Sequence, residues 1–157
     1  MFASAGALAG FGRNDLDTVR IRWNGGRRFA GWDEAGHGIV MDAAAPTGEG
    51  TGPRPLELAL YALGGCTGID VIGILKKQRQ VVRDFEVIVT AEQREERPRR
   101  YERVSIEYVV TGVSVKPSAL ERAIALSEEK YCSVRAMLDP GIQLASSYRI
   151  IEATDEA

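Results

Sequence analysis

PRPLELALYALGGCTGIDVIGILKKQR, residues 53–79, is apolar almost without a break from Leu56 to Leu75. Pro55 suits the first position of a helix, where its missing N–H is no loss. The run predicts one helix from Pro55 to about Gln80. Apolar side chains occupy nearly every face of it until Lys76, so such a helix must be buried on most sides. Gly64, Gly65, Gly68 and Gly73 lie inside it. Each costs about 1 kcal/mol against alanine in an exposed helix interior. The expected compensation is close approach of another helix or backbone, with a bend at Gly64-Gly65 as the alternative.

Outward from this helix the period changes from helical to alternating. Before it, Thr18 to Trp23 places Val19 and Ile21 on one face and Arg20 and Arg22 on the other, the pattern of a half-buried strand. Asn24-Gly25-Gly26 is a turn signal, with Arg27 to Trp32 as the returning strand and Ile39 to Asp42 as a third. Residues 43–54, rich in Ala, Gly, Pro and Thr, are expected to be a mobile loop. They lack the Gly-Lys-Ser/Thr ending of a phosphate loop. After the helix, Phe85, Val87, Val89 and Ala91 share one face of a strand over Asp84–Glu95. Val104, Ile106, Tyr108 and Val110 share one face of another over Tyr101–Thr111. The charged REERPRR between them reads as a solvated hairpin tip.

Pro117-Ser118 opens a second helix, with Ser118 as N-cap and Glu121 completing a capping box. Leu120, Ala123, Ile124 and Ser127 form its inner stripe, and it is expected to end near Lys130 to Cys132. A short helical turn at Val134–Leu138 stops at Asp139-Pro140-Gly141, and Gln143–Glu152 closes the fold as a strand. The order βββ-α-ββ-α-β defines an α+β class, with antiparallel sheets around a long buried central helix. A chain of 157 residues has difficulty enclosing such a helix. The simplest remedy is an obligate homodimer in which two central helices pack together. The domain reading is a flexible N-terminal extension over 1–17 and one domain over 18–157.

Composition narrows function. Twenty basic and twenty-two acidic residues give a net charge of −2, against the basic balance of a dedicated nucleic-acid binder. No stretch of about 18 uninterrupted apolar residues suggests a membrane span. Met1–Gly12 has neither the basic start nor the apolar core of a signal peptide. The expected compartment is the cytoplasm, with both cysteines reduced. Cys66, Cys132 and the single histidine, His37, are too few for a zinc site, which takes about four ligands. His37 sits between two glycines, as an ordinary turn residue does. Cysteine alone often only packs. A reactive thiol needs a nearby cation or a helix N-terminus. Cys66 lies eleven residues after Pro55, beyond the reach of the helix dipole unless the helix restarts at Gly64-Gly65.

The stretch 53–79, the later EEKYCSVRAML and the QREERPRR hairpin, taken with their order and spacing, resemble the OsmC/Ohr superfamily of osmotically inducible and organic hydroperoxide resistance proteins. The similarity is closest to its YhfA-like branch and runs from about Val19 to Ile151. The resemblance implies an intertwined α+β homodimer with active sites at the subunit interface. It implies that Cys66 is the peroxidatic thiol and Cys132 the resolving one. It places the family's helix-start glutamate on Glu57. It offers Arg27, in Gly25-Gly26-Arg27, as the arginine that holds the thiolate, with Arg20, Arg22 and Arg28 as alternatives. Nine residues at about 100° each put Glu57 on the opposite helix face from Cys66, roughly 13 Å along the axis. Glu57 therefore serves the partner's cysteine, holds an arginine across the interface, or is a plain first-turn acid. Asp70, four residues after Cys66, shares that thiol's face. As a bare neighbour it raises a thiol pKa.

The activity so implied is a thiol-dependent peroxidase acting on organic hydroperoxides, regenerated by an external dithiol, with no metal, flavin or haem. Leu60, Leu63, Ile69 and Met137 are the expected apolar surroundings. The alternatives are a redox-responsive or small-molecule-binding module on the same fold, and a structural dimer whose cysteines only pack.

Overall fold

A computed structural model of the chain describes residues 17–154. Residues 1–16 of the proposed N-terminal extension lie outside the described residues. The chain divides into two compact units, one ending at Pro55 and the other beginning at Leu56.

In the first unit, β1 (Val19–Trp23), β2 (Phe29–Asp33) and β3 (Gly38–Met41) form an antiparallel meander in that order. At the first turn the Arg28 amide donates to the Gly25 carbonyl at 3.0 Å. Gly25 and Gly26 take the positive φ values of 84° and 53° that the turn requires. Strand β2 starts only at Phe29, so Arg27, expected in the strand, is exposed in the turn. β1 departs from the half-buried reading: all five of its residues are exposed, Val19 and Ile21 included. His37 is a surface turn residue, as read from its flanking glycines. Its Nδ1 lies 2.8 Å from Asp33 Oδ2, and its hydrogen bonds hold the Asp33 carboxyl below the usual range.

The loop expected to be mobile is tied down by a residue the sequence reading passed over. Asp42 is buried and accepts from the Ala43 amide (2.7 Å), the Thr51 amide (3.1 Å) and the Thr51 hydroxyl (2.9 Å). The Thr51 amide is the main cause of a lowered Asp42 pKa. The Asp42 amide closes the base of the loop on Pro53 O at 3.2 Å.

The second unit carries α1 (Glu57–Lys77), β4 (Val81–Gln93), β5 (Tyr101–Val113), α2 (Pro117–Leu126), a π-helical turn (Ser127–Tyr131), α3 (Ser133–Ala136) and β6 (Gln143–Glu152). β4 and β5 pair antiparallel, with Phe85 opposite Val110, Val87 opposite Tyr108 and Val89 opposite Ile106. One pair departs from the antiparallel expectation. β6 joins β5 in parallel, which the intervening helices make possible as a crossover. The hairpin tip is exposed and bonded to its own backbone, Arg94 Nε donating to Pro98 O at 2.7 Å. Helix α2 starts two residues earlier than its capping-box reading. Lys116 is the N-cap and Pro117 takes the first turn, so Ser118 caps nothing. Glu121 instead accepts the Tyr148 hydroxyl at 2.6 Å.

The core lies between the sheet and the helices. From α1 it takes Leu63, Thr67, Val71 and Leu75, from β5 Ile106, Tyr108 and Val110, and from α2 Leu120, Ala123 and Ile124. Phe85 stacks on Tyr108 with ring centroids 6.5 Å apart. Gly64 and Gly68 seat α1 on β4. A β-carbon at these positions would stand 3.0 Å from Val89 Cγ2 and 3.3 Å from Val87 Cγ2.

Within one chain, α1 is buried along one stripe and not all round. Tyr61 (69% exposed), Gly65 and Ile69 (73%) form a second stripe, offset by two residues and so on the opposite face. By length and hydropathy α1 also meets the measure of a membrane span. Its buried stripe is sealed by strands and helices of the same chain.

Candidate active site: a two-cysteine cluster

Cys66 sits midway along α1, one continuous helix from Glu57 to Lys77. The helix does not restart at Gly64-Gly65, so its N-terminal dipole does not reach the thiol. Cys66 is half-buried, on the flank of α1 between the sealed stripe and the exposed one. Cys132 comes from the far side of the π-helical turn. That turn closes with the Cys132 amide donating to Ser127 O at 2.8 Å. The wide turn ends α2, and Cys132 becomes the N-cap of α3, where its Sγ accepts the Arg135 amide at 3.4 Å.

The two side chains, 66 positions apart in sequence, lie close together, Cys66 packing against the core that holds Cys132 and its side chain acting on the Cys132 thiol. Burial pushes the Cys132 thiol up to about 11, against the opposing bond from the Arg135 amide. The Cys66 side chain and the Asp70 charge push it the same way as burial. Burial therefore keeps the Cys132 thiol protonated at neutral pH.

A chain of hydroxyls runs beneath the pair. Tyr108 Oη lies 2.7 Å from Thr67 Oγ1, Thr67 Oγ1 lies 2.9 Å from Ser127 Oγ, and Ser127 Oγ donates to Asp70 Oδ2 at 2.9 Å. The three hydroxyl-bearing residues are fully buried. Burial raises the Tyr108 hydroxyl to about 12, so it keeps its proton. Arg135 stands beside this cluster. Its Nη1 is buried without a hydrogen bond, 3.6 Å from Glu128 Oε2, while Glu128 Oε1 accepts the Ser146 hydroxyl.

Of the predicted site residues the structure brings Cys66 and Cys132 together. Glu57 is in the first turn of the same unbroken helix, half a turn round from Cys66, and lines a separate cavity with Leu60, Tyr61, Gly64 and Val87. Arg27 belongs to the first unit and Cys66 to the second. Arg28 is ion-paired with Glu49 at 3.1 Å within the first unit. The four apolar residues expected around Cys66 do not form one wall within the chain. Leu63 is in the core, Leu60 faces the Glu57 cavity, and Ile69 and Met137 are exposed. Thr67, Tyr108, Ser127 and Arg135 were missed as site residues. Their signal was available: polar residues on three otherwise apolar stripes need buried partners.

Two free thiols in contact on an α+β frame define a dithiol protein, and the comparisons give its family. The model of the OsmC-like protein family matches residues 48–147. The chain is 42% identical over 135 residues to protein YhfA of Escherichia coli strain K12, which covers 86% of this chain and 98% of YhfA. A hypothetical protein from Aquifex aeolicus VF5 superposes with a TM-score of 0.79 at 34% identity, over 89% of this chain and 99% of that one. The chain belongs to the OsmC-like family. The organic hydroperoxide resistance protein OhrB of Bacillus subtilis has a TM-score of 0.59 at 16% identity, over 85% and 98% of the two chains. It shares the fold.

Proposed function

We propose that the chain is a cysteine-based peroxidase that reduces organic hydroperoxides. The observation that carries this reading is the contact between Cys66 and Cys132, with Cys132 held protonated by burial. The half-buried Cys66 is then the attacking thiol and Cys132 the resolving one. The Cys66 thiolate attacks the distal peroxide oxygen, the alcohol leaves, and a sulfenic acid forms. Cys132 closes a disulfide on it, and an external dithiol restores both thiols. Membership of a family with hydroperoxide resistance proteins among its structural neighbours supports the substrate class.

The working form is a homodimer in the cytoplasm. The exposed stripe of Tyr61, Gly65 and Ile69 on α1 supports this, since it is apolar and Gly65 leaves room for a second backbone. In the dimer, Arg27 steadies the Cys66 thiolate, with Arg20, Arg22 and Arg28 as alternatives, and Glu57 holds that arginine across the interface. Half a helical turn separates Glu57 from Cys66 of its own chain, which is the reason to assign it across the interface.

The test is consumption of cumene hydroperoxide and hydrogen peroxide by the reduced protein, with a dihydrolipoyl-type dithiol as reductant. Fast consumption of the organic peroxide is expected, abolished in Cys66→Ser. In Cys132→Ser a sulfenic acid accumulates that dimedone captures. No consumption, with both thiols still free by mass spectrometry, refutes the reading and favours a binding or redox-responsive module.

A further inference from the structure

The hydroxyl chain beneath the cysteines has a direction. A carboxylate only accepts hydrogen bonds, so the Ser127 hydroxyl, pointed at Asp70 Oδ2, has its own oxygen left to accept from Thr67. Thr67 in turn accepts from Tyr108. Three buried hydroxyls thus end on one carboxylate, and that carboxylate lies one helical turn from Cys66 on the same flank of α1. Ser127 is bound to the cysteine motif as well, its carbonyl accepting the Cys132 amide.

We propose that Asp70 is the proton acceptor for Cys132 when that thiol attacks an oxidised Cys66, and that Ser127, Thr67 and Tyr108 position its carboxylate. The proposal deepens the peroxidase reading and rests on it for the identity of the oxidant. In the resolving step the Cys132 S–H bond breaks and the Cys132–Cys66 S–S bond forms as the Cys66 S–O bond breaks. The sulfenic sulfur is reduced and the thiol sulfur oxidised, both to the disulfide level. The proton taken by Asp70 passes to the departing hydroxide, which leaves as water. No net proton is gained or lost.

The neighbouring groups leave this task to Asp70. Glu128, on the π-helical turn, is engaged by Arg135 of α3 and by Ser146 of β6. Tyr108 of β5 keeps its proton to about 12. Lys77 of α1, Arg122 of α2 and Tyr131 of the π-helical turn line a cavity of about 510 Å³ with Asp70 and bring cations or a phenol, not a second carboxylate. A buried thiol that is almost wholly protonated at neutral pH gains most from a fixed base.

The step can be watched without any peroxide. Reduced protein is treated with the aromatic disulfide DTNB. Its first thiolate is released as Cys66 becomes a mixed disulfide, and its second as Cys132 displaces it. Cys132→Ser shows the first release only, which fixes the assignment. In the unsubstituted protein the second release is expected to be nearly independent of pH from 6 to 9. In Asp70→Asn it is expected to slow about 100-fold at pH 7 and to rise about tenfold per pH unit, while the first release, in which Cys132 takes no part, is no slower than before. Ser127→Ala slows it by a smaller factor, and Asp70→Glu restores part of the rate. Removing the Asp70 charge also eases ionisation of Cys132. A merely electrostatic or structural role therefore predicts a second release that is as fast or faster in Asp70→Asn, with its pH profile unchanged, and that result overturns the proposal. Because DTNB replaces the hydroperoxide, loss of the Asp70 effect and loss of peroxidase activity are separate results.

Discussion

Thr67→Val removes one hydroxyl from the interior and keeps the shape of the side chain. The hydroxyl lost is the middle link of the buried chain, 2.7 Å from Tyr108 Oη and 2.9 Å from Ser127 Oγ, on a residue with no exposed surface. After the change Ser127 still donates to Asp70, but the Tyr108 hydroxyl has lost its acceptor in a fully buried site. An orphaned buried donor costs about 1–3 kcal/mol, and the lost bond to Ser127 about 1 more, so the expected loss is about 3 kcal/mol. Tyr108→Phe removes the end of the chain and leaves Thr67 its bond to Ser127, for a loss of about 1 kcal/mol. The double variant has no orphan. It is expected to be more stable than Thr67→Val alone by about 1 kcal/mol, although it carries one more substitution. The assay is urea unfolding under reducing conditions at one fixed protein concentration, since self-association shifts apparent stability. With a slope of about 2 kcal/mol per molar for a chain of this size, Thr67→Val moves the midpoint down by more than 1 M at unchanged slope. Simple addition of the two single effects, or a Thr67→Val loss below about 0.5 kcal/mol, refutes the reading of these hydroxyls as one coupled chain.

Gly64→Leu and Gly65→Leu, adjacent on α1, are expected to act through different partners. The first drives side-chain atoms into Val89 and Val87, losing about 1–3 kcal/mol in urea unfolding. The second meets nothing within 4 Å in its own chain and should appear in sedimentation as a weakened dimer. Iodoacetamide at pH 7 is expected to alkylate Cys66 first, with Cys132 reacting only as the pH climbs toward about 11; mass spectrometry of timed samples gives the order. Asp42 is a depressed carboxyl, so its contribution to the loop is present above the ordinary carboxyl value of about 3.9 and is lost as the pH falls through its lowered native value. Limited proteolysis within 43–54 should therefore be slow at pH 6, faster at low pH, and fast at both in Asp42→Ala.

The order of elements was legible because burial leaves periodic traces. Phe85, Val87, Val89 and Ala91 alternate into the core as their spacing implies, and Leu120, Ala123 and Ile124 form the sealed face of α2, which Ser127 continues into the π-helical turn. Spacing does not encode which sides of an apolar helix its own chain covers: α1 reads as apolar on nearly every face, and its own chain seals one stripe of it. Ser118 was misplaced as a cap because Pro117 is the stronger signal, and a proline at the first helical position moves the cap back to Lys116. The meeting of the cysteines followed from resemblance and not from spacing. The base of the site was harder to see. Thr67 looks like a filler between Cys66 and Gly68 until Tyr108 and Ser127, 41 and 60 positions away, are known to point at it.

The π-helical turn at Ser127–Tyr131 gives the second half of the chain an unusual sensitivity. A regular helix would carry the stripe of α2 onward at four-residue intervals. Here one extra residue is held in the turn, and Cys132 leaves it facing Cys66. The position of the thiol is therefore set by a count of residues more than by their identities. Exchanges at the exposed Glu129 and Lys130 alter charge and little else, while Glu128 is held by Arg135 and Ser146. Removing any one of Glu128, Glu129 and Lys130 lets the turn relax to an ordinary helix and swings Cys132 by about 100°, away from its partner. Among sequences that share this architecture, the length of that turn is a more telling character than its composition.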